Sequence, residues 1–177
     1  SVKGPDAEKF LQGQLTCDMA DVISRGSALG AHCNIKGHML SLSRLLKASE
    51  DEIWMRMSHD IIDSAANNLK KYIVFSKAEA TEVSENIVGV GIAGPGSEAL
   101  IEQLFDRAPS EDNGTIALSN GIVVRVPGNR FEIWMESGAL LDLLNALPDE
   151  VSIGSTAQWL LSEIDAGIPD LRIETQE

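Results

Sequence analysis

The sequence is poor in basic charge and in the residues that build metal or disulfide sites. It holds 14 Lys and Arg against 27 Asp and Glu, a net charge of −13. Because nucleic-acid binding relies on cations that neutralise phosphates, this balance predicts no direct nucleic-acid partner. Its two cysteines, Cys17 and Cys33, lie outside any Cys/His cluster, so we expect neither a bound metal nor a disulfide framework.

Long apolar runs are missing as well. No stretch of 18 apolar residues is present, and no basic region followed by an apolar segment opens the chain, which predicts neither a membrane span nor a signal peptide. The first residue is Ser1 rather than Met, which is compatible with removal of a leader. Two unpaired thiols and no membrane segment favour a cytoplasmic protein.

The known signatures of catalysis are also absent. The sequence has no phosphate-binding loop with its lysine, no Gly-x-Ser-x-Gly elbow and no metal-binding helix motif. The segment from Gly89 to Gly94 matches Gly-x-Gly-x-x-Gly, but Pro95 follows at once and no acidic residue stands on a following strand. A dinucleotide site is therefore not expected, and no residue is assigned a catalytic role.

Two similar blocks occur in the same order in the two halves of the chain. Gly4-Pro5 before a helical pattern recurs as Gly94-Pro95, and the segment 52–55, Glu-Ile-Trp-Met, recurs at 132–135. This order predicts an α+β fold with a duplicated core, made of two β-α-β-β-α-like halves with mixed or antiparallel sheets. The halves are predicted at 1–80 and 86–177, the second with a terminal helix.

Local patterns predict the elements. A β-hairpin is expected over 31–46 around the turn Lys36-Gly37, and helices are expected at 5–16, 60–71, 95–107, 138–147 and 156–165. The segment 18–26 is interpreted as a connection and 72–80 as a strand. Asn120-Gly121 is typical of a type I′ hairpin turn.

Three side-chain types remain as candidates for function. Trp159 on the terminal helix either fills the core or stacks against a flat heteroaromatic ligand. Cys33 is either a small apolar strand residue or a redox thiol. His32 and His38 flank the hairpin turn and are interpreted as ordinary strand histidines.

Four segments resemble a known family. They are 9–16 with Asp18, 31–37 with Arg44-Leu45, 69–77, and 158–160 with 166–169, and they match in order. Together they are similar to the YgfZ branch of the folate-binding glycine-cleavage T-protein (aminomethyltransferase) superfamily. The resemblance implies a folate-binding core, tetrahydrofolate or another folate as ligand, and support of iron–sulfur proteins, including enzymes that modify tRNA. The family's folate-contacting tryptophan falls on Trp159.

The sequence departs from the family in two places. The motif Lys-Gly-Cys-Tyr-(Thr or Ser)-Gly-Gln-Glu is absent, which implies a chain truncated before that cysteine and before a C-terminal barrel domain. True aminomethyltransferases carry an Asp-Asp pair in the second hairpin strand, where this chain has Ser41. Without that carboxylate, one-carbon transfer loses its main polar group. We therefore expect a folate-dependent assembly factor more than a stand-alone catalyst.

The alternatives are kept open. An aminomethyltransferase-like enzyme is favoured if Glu163 or Asp165 points at the pterin, and an interaction module is favoured if side chains fill the pocket. In the leading hypothesis the folate lies between the two halves, and Trp159 stacks on it. Arg44 and Lys36 are then the candidate partners for its polar or anionic parts.

Overall fold

The computed structural model describes residues 1–175 and divides the chain into two compact units. One unit is Ser1–Val83 together with the segment that starts at Asp170, and the other is Ser84–Pro169. Among the described residues, no helix is both long and apolar enough to cross a bilayer.

The first unit packs three helices on a five-stranded antiparallel sheet of strand order β2-β3-β4-β1-β5. Its core contains Leu11, Val22, Leu45 and Leu69. The elements are β1 (Val2–Lys3), α1 (Ala7–Gln12), α2 (Met19–Arg25), β2 (Ser27–Cys33), β3 (Met39–Lys47), β4 (Glu52–Arg56), α3 (Ile62–Ile73) and β5 (Glu79–Ala80).

The second unit has a four-stranded antiparallel sheet of strand order β6-β9-β8-β7. Ile101 of the first helix and Leu143 of the second pack with Phe131 and Ile133 in its core. The elements are β6 (Ile87–Ile92), α4 (Ser97–Phe105), β7 (Thr115–Leu118), β8 (Gly121–Val126), β9 (Arg130–Glu136), α5 (Leu140–Ala146) and α6 (Thr156–Asp165).

The two sheets confirm the predicted α+β class and the duplicated core. Without β5, the first sheet has the order β1-β4-β3-β2, which is the order β6-β9-β8-β7 with each strand replaced by its counterpart. The repeated block also has the same local contact in both copies. Trp54 Nε1 donates to Glu52 Oε1 at 3.2 Å, and Trp134 Nε1 donates to Glu132 Oε2 at 2.9 Å.

The segment 18–26 is a helix, so its interpretation as a connection was wrong. The Asp18 side chain accepts a hydrogen bond from the Ala20 backbone N–H at 2.9 Å, which caps the start of α2. Gly26 ends the helix in the left-handed region, with φ of 99°. The two capping residues are visible in the sequence, but the apolar pattern between them is too short to show helical periodicity.

The predicted strand at 72–80 was also wrong over most of its length. Helix α3 continues to Ile73 because Ala65, Leu69 and Ile73, at four-residue spacing, are all buried. Phe75 is 94% exposed, and only Glu79–Ala80 forms a strand. The first helix is shorter than the predicted range 5–16, since α1 spans only Ala7–Gln12.

The two predicted hairpins and the terminal helix are confirmed. Strands β2 and β3 pair from Ser27↔Leu46 to Cys33↔Met39. Strands β7 and β8 meet at Leu118↔Gly121, but neither central residue of their turn has a positive φ, so the turn is not of type I′. Helix α6 spans the predicted residues, and a capping box of Ser155 and Gln158 fixes its start.

Candidate functional site

Two tryptophan rings lie side by side on one face of β6. Positions 89 and 91 share one face of this strand because they are two residues apart. A Cβ atom on Gly89 would lie 2.4 Å from Trp134 Cη2, and one on Gly91 would lie 2.4 Å from Trp159 Cε3. Because glycine has no Cβ, each ring can pack directly on the strand backbone at these two positions. We call the pair Trp134 and Trp159 the indole platform.

The platform is built from two separate elements. Trp134 lies directly opposite Gly89 across the β6–β9 ladder. Trp159 comes from the first turn of α6, where its backbone N–H donates to the Ser155 carbonyl at 3.2 Å. Both tryptophans are half-buried. Each ring therefore has strand backbone beneath it and still keeps some access to solvent, as a stacking surface for a ligand requires.

Charged side chains lie on the same face of the sheet. Alternation along β9 puts Arg130 and Glu132 beside Trp134, and these two residues are only 4% and 3% exposed. The Arg130 guanidinium carbon lies 4.7 Å from the centroid of the Trp159 ring. Glu132 lies opposite Gly91, the position over which Trp159 packs, and its Oε2 accepts a hydrogen bond from Trp134 Nε1 at 2.9 Å. A buried carboxylate thus lies beside both rings.

The equivalent glutamate of the first unit has different neighbours. Lys3 lies opposite Glu52 in the ladder, as Gly91 lies opposite Glu132. Lys3 Nζ donates to Glu52 Oε2 at 3.2 Å and Ser1 Oγ donates to Oε1 at 2.7 Å. Burial raises the pKa of Glu52, but the hydrogen bonds from Ser1, Lys3 and Trp54 together lower it. In the second unit a glycine, Gly91, occupies the position opposite this glutamate.

Arg44 and Lys36 both belong to the β2–β3 hairpin, but the structure does not bring them together. Arg44 is 3% exposed, lies opposite Leu29, and donates from Nη1 to Ser27 Oγ at 3.3 Å. Lys36 is exposed at the hairpin tip, where its backbone N–H donates to Asn34 Oδ1 at 2.8 Å. Several residue pairs separate the two cations along the hairpin, at about 3.4 Å per residue.

Other polar residues of the hairpin face the core of the first unit. His32 is buried opposite Ser41, and neither His32 Nδ1 nor Ser43 Oγ has a hydrogen-bond partner within residues 1–175. Burial, and secondly the charge of Lys71, lower the pKa of His32. Ser41 is 2% exposed.

The two cysteines are free thiols in different settings. Cys33 is half-buried at the end of β2. Cys17 is also half-buried and packs against Gly30, and burial raises the pKa of its thiol. The raised pKa of Cys17 disfavours its thiolate form. The role of Cys33 as a redox thiol stays a prediction.

The environment of His32 predicts that acid destabilises the first unit. Its folded-state pKa is lowered, so the unfolded chain binds a proton more readily, and stability falls as the pH drops through about 6.5. We expect the urea midpoint to fall between pH 7.5 and 5.5 by more in the wild type than in His32→Gln. His38→Gln, at an exposed position, is the control and should keep the wild-type slope. Equal slopes in all three proteins would contradict the prediction.

The carboxylates of the aminomethyltransferase alternative lie on α6. Glu163 is 5% exposed, and Asp165 is exposed.

The sequence analysis named Trp159 but not Gly91, Arg130 or Glu132, which the structure places on the same face of the sheet. A glycine inside a strand often marks a close approach of another group to the backbone, and the Gly-x-Gly of β6 was that signal. The partner ring lies far away in the sequence, so no local pattern could identify it.

The chain is similar to known proteins over most of its length. The model of the GCVT N-terminal domain family matches residues 1–127. The tRNA-modifying protein YgfZ of Pectobacterium atrosepticum is 33% identical over 168 residues, which cover 94% of this chain and 50% of that protein. The protein of the same name from Cronobacter sakazakii is 31% identical over 171 residues, covering 96% and 51%. The chain thus spans about half the length of these curated relatives.

A solved structure shares the fold. The glycine cleavage system aminomethyltransferase T from Bartonella henselae superposes with a TM-score of 0.72 at 18% identity, covering 84% of this chain and 42% of that one. At this level of identity the likeness extends to the fold alone.

Proposed function

Because the chain belongs to the GCVT N-terminal domain family, we propose that it binds a folate and supports iron–sulfur enzymes that modify tRNA. Membership of this family supports the proposal that the ligand is a folate. The curated relatives support the link to tRNA, since both are named as tRNA-modifying proteins. The role in iron–sulfur enzymes rests on the resemblance of the sequence to the YgfZ branch.

The indole platform is the observation that carries the folate proposal. A reduced folate has a flat pterin head, which can stack on an indole ring. The pterin presents an amino group next to a ring N–H, and a carboxylate accepts hydrogen bonds from such a pair of donors. Glu132 is a buried carboxylate beside both rings. Trp159 would stack on the ligand, and Glu132 would select for its donor edge.

The glutamate tail of a folate needs cations. Arg44 and Lys36 are our candidates, since guanidinium and ammonium groups bind carboxylates. Lys36 has the exposure that a flexible tail requires, whereas Arg44 is held in the sheet by its bond to Ser27. Lys36→Ala is therefore the cleaner variant for this part of the proposal, because it should leave the fold unchanged.

Calorimetric titration with 5-formyltetrahydrofolate, a stable reduced folate, tests the proposal. We expect a Kd in the micromolar range, which corresponds to about −8 kcal/mol. Binding of p-aminobenzoylglutamate, which lacks the pterin, should be at least about tenfold weaker if the platform holds the head group. Absence of binding up to about 1 mM folate, near −4 kcal/mol, would refute the proposal.

A chimera tests the link to tRNA. This chain would replace the matching half of the Cronobacter sakazakii protein in a strain that lacks its own copy. We expect the chimera to restore modified nucleosides in digested tRNA, measured by mass spectrometry, and the same chimera with Trp159→Ala to restore much less. Equal restoration of modified nucleosides by both chimeras would show that the role in tRNA modification does not depend on Trp159.

A further inference from the structure

We infer that Arg130 is a positioning residue for the indole of Trp159. The inference rests on the proposed folate-binding function, because it says how the stacking ring is held ready for its ligand. Arg130 is the first residue of β9, directly after the turn residues Gly128 and Asn129, which have φ values of 90° and 54°. The turn sends the side chain toward α6.

The guanidinium group of Arg130 contacts its own hairpin, helix α6 and the Trp159 ring. Arg130 Nε donates to the Pro127 carbonyl at 3.0 Å, within its own hairpin. Arg130 Nη1 donates to Ser162 Oγ at 2.7 Å, on α6. The guanidinium carbon lies 4.7 Å from the centroid of the Trp159 ring, within the range of a cation–π contact. The hairpin, the helix and the ring are thus joined through one buried side chain.

The bond to Ser162 links Arg130 to the backbone of Trp159 as well. Ser162 Oγ donates to the Trp159 carbonyl at 2.7 Å, so the hydroxyl passes the constraint to the turn of α6 that carries the indole. Gly91 fixes where the ring lies on the sheet, and Arg130 fixes how the ring is turned. A ring ordered before binding loses less conformational entropy when the ligand arrives.

The second unit offers a matched control. The Arg125 guanidinium carbon lies 5.4 Å from the centroid of the Phe131 ring, and Arg125 Nη1 pairs with Glu98 at 2.9 Å. Arg125 and Arg130 are thus both sheet arginines that contact an aromatic ring. Of these two arginines, only Arg130 contacts the platform in the part of the chain that the structure describes, so a general effect of losing an arginine would be seen in both variants.

The test combines 5-fluorotryptophan ¹⁹F NMR with folate titration. The chain has three tryptophans, so three resonances are expected, and single Trp→Phe variants assign them. Arg130→Met, which keeps an unbranched stem and removes the fork, should shift or broaden the Trp159 resonance and raise the Kd for 5-formyltetrahydrofolate about tenfold. Arg130→Lys keeps the charge without the planar fork, so it should restore part of the affinity. Arg125→Met also removes the 2.9 Å bond from Arg125 Nη2 to Asn129 Oδ1 in the turn before Arg130, so it should change both readouts much less than Arg130→Met does.

The outcomes separate the inference from the function on which it rests. If the wild type binds folate and Arg130→Met binds it equally well or more tightly, the inference is wrong. If the wild type binds no folate, the proposed function fails, and the Trp159 resonance alone then decides whether Arg130 orders the ring. An unchanged Trp159 resonance in Arg130→Met would overturn the inference in either case.

Discussion

Trp159→Ala is expected to raise the Kd for a reduced folate by roughly 10- to 100-fold, which corresponds to the 1–3 kcal/mol of a base stacked on an aromatic ring. The ring lies on Gly91 and is half-buried, so its removal takes away a supported stacking surface. Fluorescence titration or calorimetry with 5-formyltetrahydrofolate measures the loss. Trp159→Phe should recover part of the affinity because it keeps an aromatic face.

The stability of the same variant distinguishes a ligand contact from core filling. A fully buried tryptophan costs about 3–5 kcal/mol when truncated to alanine, and a half-buried one should cost less. We therefore expect a small fall in the urea midpoint of Trp159→Ala together with the large fall in affinity. A fall of about 3–5 kcal/mol with unchanged folate affinity would identify the ring as core filler.

Gly91→Ala is expected to weaken folate binding by about tenfold or more although the substitution adds only a methyl group. Its Cβ would lie 2.4 Å from Trp159 Cε3, closer than a Cβ atom approaches another heavy atom in proteins, so the indole ring must move away from the strand. Overpacking of this kind typically costs about 1–3 kcal/mol. Calorimetry would give the affinity, and the fluorescence of Trp159 would report the displaced ring.

Two further glycines provide the controls for Gly91→Ala. Gly138→Ala has nothing within 4 Å of its added Cβ, so it should leave folate affinity unchanged. Gly89→Ala places its Cβ 2.4 Å from Trp134 and should displace the other ring of the platform. If Gly91→Ala and Gly138→Ala bound folate equally well, the packing of the Trp159 ring on Gly91 would not contribute to binding.

Much of the fold could be predicted because its determinants are local or repeated. The hairpin of β2 and β3 follows from alternating apolar positions on either side of a turn with glycine. Helix α6 follows from the spacing of its apolar residues and from Gly167 after its end. The duplication was visible because the Trp54 and Trp134 blocks repeat almost letter for letter, and the two sheets have corresponding strand orders.

The errors have identifiable physical causes. Helix α2 is held by Asp18 and Gly26 at its ends, and so short a helix has little periodicity to detect. Segment 72–80 is rich in residues with high strand propensity, but the buried stripe of α3 that ends at Ile73 overrides it. The platform depends on contacts between residues distant in sequence, Gly91 with Trp159 and Arg130 with Ser162, which no local pattern reports.

The contrast between Lys3 and Gly91 suggests how a binding surface can arise in a duplicated fold. In one copy the glutamate at this point of the ladder pairs with a lysine opposite it, and the contact serves the sheet. In the other copy a glycine stands opposite, and an indole occupies the space above it. A lysine at this strand position thus gives a partly exposed ion pair, whereas a glycine at the equivalent position gives room for an indole ring.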